Sequence, residues 1–302
     1  MNKQHIDEFM NIREENKYRD ESGGNKKYAG IIWGILFALL FLGSSLWLLQ
    51  LLRESRTGWY LINSLQRLIF GVVILFVCKK LYGRTIKDIL GTQGSKKALI
   101  AGLGMVLICI YFAVVEVVTI KKIGGLTVGL LVSQVILQQI TTGFYEELNF
   151  RVLFSEGYFY GTKTRIRKIF YALLNFVIFG AIHLIGDFSL DSFLITGACG
   201  FTYAVIYLNS RNIFIPMLLH FVYDVIAKIM EYAVEWEQYP ICMTLWNGIN
   251  VAYVVMFVIS VIMLFVDLRK IDENTAKKLE KELTRLWTGE LAAVVAFWFC
   301  FL

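Results

Sequence analysis

The 302-residue sequence is poor in the residues that interrupt helices, cross-link folds or bind metals in known spacings. It has only two prolines, and its five cysteines (Cys78, Cys109, Cys199, Cys242 and Cys300) are scattered, with no CxxC pair. An odd, dispersed set argues against both a disulfide framework and a thiolate metal site. No HExxH occurs among its three histidines, so a helix-borne zinc dyad is missing as well. Charge is also scarce: 18% of residues are Asp, Glu, Lys or Arg, against 57% hydrophobic and 15% aromatic. With a mean hydropathy of +0.60, a soluble domain of this size could not keep its apolar surface out of water, which points to a polytopic membrane protein. The net charge of +6 then reads as basic loops at a membrane surface, with no call for nucleic acid. The polar start of the chain offers no cleavable signal peptide, so the first apolar run is expected to act as an uncleaved anchor.

Apolar runs long enough to cross about 30 Å of hydrocarbon number eight. They cover approximately Ala29 to Leu52, Tyr60 to Cys78, Ala98 to Ile120, Leu126 to Phe154, Lys168 to Phe188, Ser192 to Asn209, Ile213 to Val234 and Gly248 to Leu268. With short loops between them, they predict an all-α, polytopic helical bundle of about eight transmembrane helices, forming one domain over 29–268. If the N-terminus is cytoplasmic, 23 of the 30 Lys and Arg fall on the inner side and four on the outer side. That bias predicts both termini in the cytoplasm. Residues 1–28 read as a polar cytoplasmic tail. In 269–302, Ala276, Leu279, Leu283 and Leu286 recur at helical spacing, the mark of an amphipathic cytoplasmic helix, followed by a short apolar tail. Gly30 and Gly34 make a GxxxG, which serves helix packing within the bundle or a homodimer.

Ionisable groups inside spans are costly unless paired or hydrated, and each is a candidate for function. The stretch TTGFYEELNFRVLF, Thr141 to Phe154, holds three of them. Glu147 and Arg151 are four apart with the acid first, which suits an ion pair on one helix face. Glu146 lies about 140° from Arg151 around an α-helix, which makes it the less neutralised carboxylate and the candidate general base. The competing reading is that both acids only pair with bases to hold helices together. His183 and His220 sit in two other spans at depths compatible with one cavity open to the cytoplasm. Asp224 shares a helix face with His220, four residues before it, and equally with Lys228, four residues after, so a plain Asp224–Lys228 salt bridge is an alternative. Arg67 and Glu116 complete the set of charges well inside spans.

EELNFR at Glu146 to Arg151, FGAIH at Phe179 to His183 and HFVYD at His220 to Asp224 resemble the three successive motifs EExxxR, FxxxH and HxxxN/D of the CAAX protease and bacteriocin-processing family, the Abi proteins. The resemblance covers a protease core from about 134 to 228. It implies a conical catalytic cavity and a glutamate-dependent intramembrane endopeptidase with no cofactor and no metal. It further implies that Glu146 and His183 hold and activate a water, that His220 and Asp224 face the oxyanion, and that Glu147, Arg151 and Phe179 support them. Where the prenyl-protein branch has Asn in the third motif, this chain has Asp224, which when ionised accepts hydrogen bonds and does not donate them. The implied partners are a membrane-associated peptide or protein substrate and the lipid bilayer. The implied roles are CAAX-like processing, maturation of a peptide pheromone or bacteriocin, or self-immunity in a bacterial cell membrane. Three other readings compete: a zinc metalloprotease using the two histidines and a glutamate, a non-catalytic immunity or scaffold protein, and a transporter, for which no inverted repeat of interrupted spans is evident.

Overall fold

A computed structural model describes residues 26, 28–160, 165–185, 188–234 and 240–266. The polar tail up to residue 25, and the amphipathic helix and apolar tail expected over 269–302, lie outside the described residues. The chain divides into two compact units between Leu264 and Phe265, and the architecture below belongs to the first.

Among the described residues every regular element is a helix, apart from an isolated antiparallel bridge between Ile123 and Ala233. The order is α1 (Ala29–Leu51), α2 (Arg56–Tyr82), the short α3 (Ile86–Leu90), α4 (Ser95–Ala101), α5 (Leu103–Thr119), α6 (Val128–Leu130), α7 (Gln139–Glu147), α8 (Phe154–Tyr158), α9 (Arg165–His183), α10 (Leu190–Ser210), α11 (Phe214–Met230), α12 (Pro240–Asn247) and α13 (Ile249–Phe265). The segments Leu131–Gln138 and Leu148–Leu153 are π-wound and join α6, α7 and α8 into one helical run. Each of the eight apolar stretches therefore coincides with helix. Five helices are long and apolar enough to cross a membrane, and a sixth span results if α4 and α5 are counted together. The other two expected spans, 128–158 and α11, are the ones that carry the EELNFR and HFVYD motifs. The resulting all-α membrane bundle is dominated by residues that lipid can solvate: of the 23 residues of α1, only Gly30, Gly34 and Phe37 are buried.

The third stretch is not straight as its hydropathy suggested. It bends by 70° between α4 and α5, at Gly102, where a Cβ would lie 2.9 Å from Ile206 Cδ1 of α10 and 3.2 Å from Leu219 Cδ1 of α11. Glycine there lets the chain turn against two neighbouring helices. The fifth stretch ends earlier than its apolar run, at His183. The GxxxG is occupied within the chain: a Cβ on Gly30 would meet Leu153 O at 2.1 Å, and one on Gly34 would meet the Phe154 ring at 2.0 Å. α1 thus lies directly on the second π-wound segment and α8. Asn149 Nδ2 donates to Gly34 O at 3.0 Å and Tyr145 Oη to Phe37 O at 3.2 Å, which fixes that contact in register.

π-winding shifts backbone hydrogen bonds from i→i+4 to i→i+5 and persists where side chains take up the displaced carbonyls. Here they do. Tyr171 Oη of α9 donates to Phe150 O and Arg151 O at 3.1 and 3.0 Å, and Ser155 Oγ to Val152 O at 3.1 Å. In the first π-wound segment, Gln139 Nε2 donates to Gln134 O and Thr142 Oγ1 to Gln138 O, at 2.9 and 2.8 Å. The glutamates of EELNFR sit at the end of α7, between these two widened segments.

The entry into α11 is equally determined. Arg211 closes α10 in the left-handed region at φ 55°, and the buried Asn212 accepts from Ile215 N at 2.8 Å through Oδ1. Its Nδ2 reaches Gly91 O, Gln93 O and Ser95 Oγ, tying the start of α11 to the α3–α4 loop. Pro216 falls in the first turn of α11, where a missing N–H costs little. Nearby, the buried Glu156 of α8 faces Arg84 and Arg211 at 3.6 and 3.9 Å, so three inter-helix corners share one ionic group.

Candidate active site

Helices α7, α9, α10 and α11 bring the three motifs together. α7 and α11 meet closely because Gly143 has no side chain: a Cβ there would sit 3.0 Å from Met217 O and 3.7 Å from His220 Cβ. One turn further along α7, Glu147 reaches two partners. Its Oε2 pairs with Arg151 Nε at 3.2 Å, with neither side chain exposed, as the four-residue spacing predicted. Its Oε1 accepts from His220 Nδ1 at 3.0 Å, a contact across 73 residues that no local spacing announces. Donation from Nδ1 selects the tautomer whose other nitrogen, Nε2, is left for the cavity side. That Nε2 lies 3.5 Å from Asp224 Oδ2 and 4.0 Å from Glu146 Oε2.

The exposure of these groups is graded. Glu147 and Arg151 are sealed, His220 is 6% exposed, and Glu146 and Asp224 are 15% and 20% exposed. Glu146 Oε2 is itself buried and makes no hydrogen bond within the protein. The two reachable carboxylates therefore flank one imidazole nitrogen, while the third carboxylate holds that imidazole from behind. Asp224 does not pair with Lys228: Lys228 Nζ is 2.5 Å from Glu231 Oε1, which leaves Asp224 to His220.

Phe179 links the second motif to the others. Its ring centroid is 4.6 Å from the His183 ring and 6.0 Å from the His220 ring, and Arg151 Cζ lies 4.5 Å above it. His183 Nδ1 donates to Phe179 O at 2.7 Å, which again leaves Nε2 as the free nitrogen. Phe179 thereby joins the half-buried His183 to the His220 cluster, so all seven residues singled out in the sequence belong to one neighbourhood. α9 and α10 close on each other through Gly200, where a Cβ would approach Phe179 Cβ to 2.6 Å. The freed Gly200 carbonyl accepts from Arg151 Nη2 at 3.4 Å.

Four residues escaped sequence reasoning or received no role there. Tyr203 of α10, fully buried, stacks on His220 at 5.0 Å and 21° and also lies 5.2 Å from Arg151 Cζ. One tyrosine among fifteen gives no signal of this. Gly143 and Gly200 act by what they lack. Arg67, noted as an intramembrane charge, lies with its guanidinium 4.9 Å from the Phe41 ring, and its Nε and Nη1 make no hydrogen bond within the protein.

Among the described residues, no group of three or more His, Cys, Asp and Glu side chains is placed to hold a metal ion. Comparison with curated proteins and with solved structures returned no match. Residues 128–226 match the model of a protein family described as type II CAAX prenyl endopeptidase Rce1-like. The match begins with α6, ends two residues after Asp224, and contains Glu146, Glu147, Arg151, Phe179, His183 and His220. The segment that builds this site is thus similar to that family over about a third of the chain.

Proposed function

We propose that the chain is a glutamate-dependent intramembrane endopeptidase that hydrolyses a peptide bond of a membrane-associated protein or peptide. The observation that carries this reading is the Glu147–His220 hydrogen bond of 3.0 Å, which turns His220 Nε2 toward Glu146 and Asp224 while Glu146 Oε2 keeps a free lone pair. A water accepted there by Glu146, with His183 Nε2 as a second contact, gives up a proton to the carboxylate as its oxygen bonds to the substrate carbonyl carbon. The C–N bond then breaks as that proton reaches the leaving amine, directly or through His220 Nε2, and the other product leaves as a carboxylate. Asp224 orients the imidazole and stabilises it when it carries the proton. Glu147, backed by Arg151, fixes its tautomer, the role that a buried carboxylate plays behind a catalytic histidine.

The Lys and Arg bias of 23 to four supports a membrane orientation with both termini cytoplasmic and a site entered from that side. The substrate classes consistent with the family are CAAX-like proteins, peptide pheromones and bacteriocin precursors. Peptides released from cells carrying the wild-type chain, compared with cells carrying Glu146→Gln at matched expression, test the reading. A fragment that is lost with Glu146→Gln and persists in chelator is expected; general-base loss lowers rates by about 10²- to 10⁴-fold. Unchanged peptides together with an unchanged cellular phenotype would refute proteolysis and leave a non-catalytic immunity or scaffold role.

A further inference from the structure

The reaction needs His220 Nε2 at one fixed place, and the hydrogen bond to Glu147 does not fix it alone. That bond, 3.0 Å long, holds the imidazole by one corner, Nδ1. The torsion next to the ring has a broad, roughly two-fold preference, so an imidazole pinned at a single corner can still tilt. On its far side, Nε2 has Asp224 Oδ2 at 3.5 Å and Glu146 Oε2 at 4.0 Å, and a ring of undefined plane could turn toward either. A displacement of about 1 Å in a reacting geometry costs on the order of 10²-fold in rate. A further group must set the plane.

Helix α10 supplies it, although EELNFR, FGAIH and HFVYD all lie on other elements. The Tyr203 ring stacks on the His220 imidazole with centroids 5.0 Å apart and planes 21° from parallel, so that tilting the imidazole out of its plane brings it against the tyrosine face. Phe179 meets the same imidazole at 6.0 Å and 68°, which bounds it from α9 as well. Tyr203 is itself held: it has no exposed surface, and its Oη donates to Met105 Sδ of α5 at 3.8 Å. The neighbouring Thr202 shares a 2.8 Å hydrogen bond with Ser260 of α13, which pins α10 at this level. One turn earlier, the Gly200 carbonyl accepts from Arg151 Nη2 at 3.4 Å, and Arg151 Cζ lies 5.2 Å from the Tyr203 ring. One helix therefore holds both partners of Glu147, the guanidinium and the imidazole.

We infer that Tyr203 is a positioning residue: its ring sets the plane of the His220 imidazole, and with it the direction in which Nε2 meets the substrate. The inference rests on the hydrolytic reading above and deepens it. It assigns the role to the ring and none to the hydroxyl, whose thioether partner is a weak acceptor.

The test uses the full chain in detergent or vesicles with a peptide found by the Glu146→Gln comparison. Tyr203→Leu is expected to lower kcat by about 10- to 10²-fold with KM changed by less than about threefold, and Tyr203→Phe, which keeps the ring, to hold kcat within about threefold of the wild type. In the Glu147→Gln background, where the imidazole has already lost its charged anchor, Tyr203→Leu should lower kcat by less than about threefold more, because residues that act as a unit are not additive. The chain has three histidines, so the His220 ring protons are assigned in NMR spectra by their loss in His220→Gln. Stacking shields those protons, and Tyr203→Leu, unlike Tyr203→Phe, should move them downfield. Wild-type kcat in Tyr203→Leu overturns the proposal, as does a defect confined to KM, full multiplication of the two losses, a Tyr203→Phe variant as impaired as Tyr203→Leu, or unmoved His220 signals. If Tyr203→Leu fails to fold, Tyr203→Met, whose flexible side chain fills irregular gaps, decides by the same criteria. Cleavage that needs Glu146 but ignores Tyr203 removes Tyr203 alone. Cleavage that survives Glu146→Gln removes the hydrolytic reading, and the role of Tyr203 falls with it.

Discussion

Replacing Glu147 by Gln would keep its volume and remove its charge, and Arg151 would then be a cation with no exposed side-chain surface. Removing one partner of a buried pair costs about 3–5 kcal/mol because the other charge stays desolvated. Arg151 would retain the Phe179 and Tyr203 ring faces and the Gly200 carbonyl, so the lower end, about 3 kcal/mol, is expected. Against a total of about 5–15 kcal/mol for an ordinary domain, that loss is easily resolved by equilibrium unfolding in detergent. Arg151→Met alone would strand Glu147, which still has His220 as partner, and is expected to cost somewhat less. The double variant removes both charges, and an apolar replacement of a buried pair is often neutral, so it should recover most of the loss. Turnover should not recover: without the carboxylate behind His220 Nδ1, kcat is expected to stay about 10²- to 10⁴-fold down. Additive losses, within about 0.5 kcal/mol, would refute the assignment of Glu147 as the shared partner of Arg151 and His220. So would a double variant as active as the wild type.

Two further outcomes follow from packing and capping. Gly30→Ala places a Cβ 2.1 Å from Leu153 O, so it should destabilise the chain by about 1–3 kcal/mol in unfolding assays while leaving the oligomeric state, read by light scattering, unchanged. A variant that altered assembly but not stability would return the GxxxG to a dimer interface. Thr85 caps α3, with Asp88 N donating to Thr85 Oγ1 at 3.2 Å and Asp88 Oδ2 accepting from Thr85 N at 2.9 Å. Those bonds hold the Asp88 carboxyl below its ordinary value of 3.8. A depressed carboxyl stabilises above the unfolded pKa and loses that contribution as pH falls through the folded one. The pH dependence of unfolding below about pH 4 should therefore flatten slightly in Thr85→Ala, which should also cost about 1 kcal/mol at neutral pH. A small effect is expected because Asp88 is exposed and solvent screens it.

The helices were legible because a bilayer imposes length and apolarity on whole segments, and all eight apolar stretches coincide with helix. What hydropathy could not convey is shape. The bend at Gly102 depends on Ile206 and Leu219, roughly 100 residues away. The π-winding on either side of Glu146 and Glu147 depends on Tyr171 and on polar side chains whose partners are set only once α9 docks. Both features move side chains around the helix axis, so angular arguments from an ideal α-helix hold only within a turn of EELNFR.

Within the site, the same limit separates what spacing can decide from what it cannot. Glu147 and Arg151 are one turn apart and pair as expected. Asp224 stands one turn from both His220 and Lys228, and spacing alone cannot choose between them. The structure chooses through the surroundings. His220 is pinned by Glu147 with its Nε2 toward Asp224, whereas the long Lys228 side chain, 32% exposed, extends to Glu231, which is 52% exposed. A flexible ammonium gains most at the hydrated end of a span, and a rigid imidazole held from behind is the partner that stays for the deeper acid. The decisive contact, Glu147 with His220, lies between two motifs that are each readable on their own.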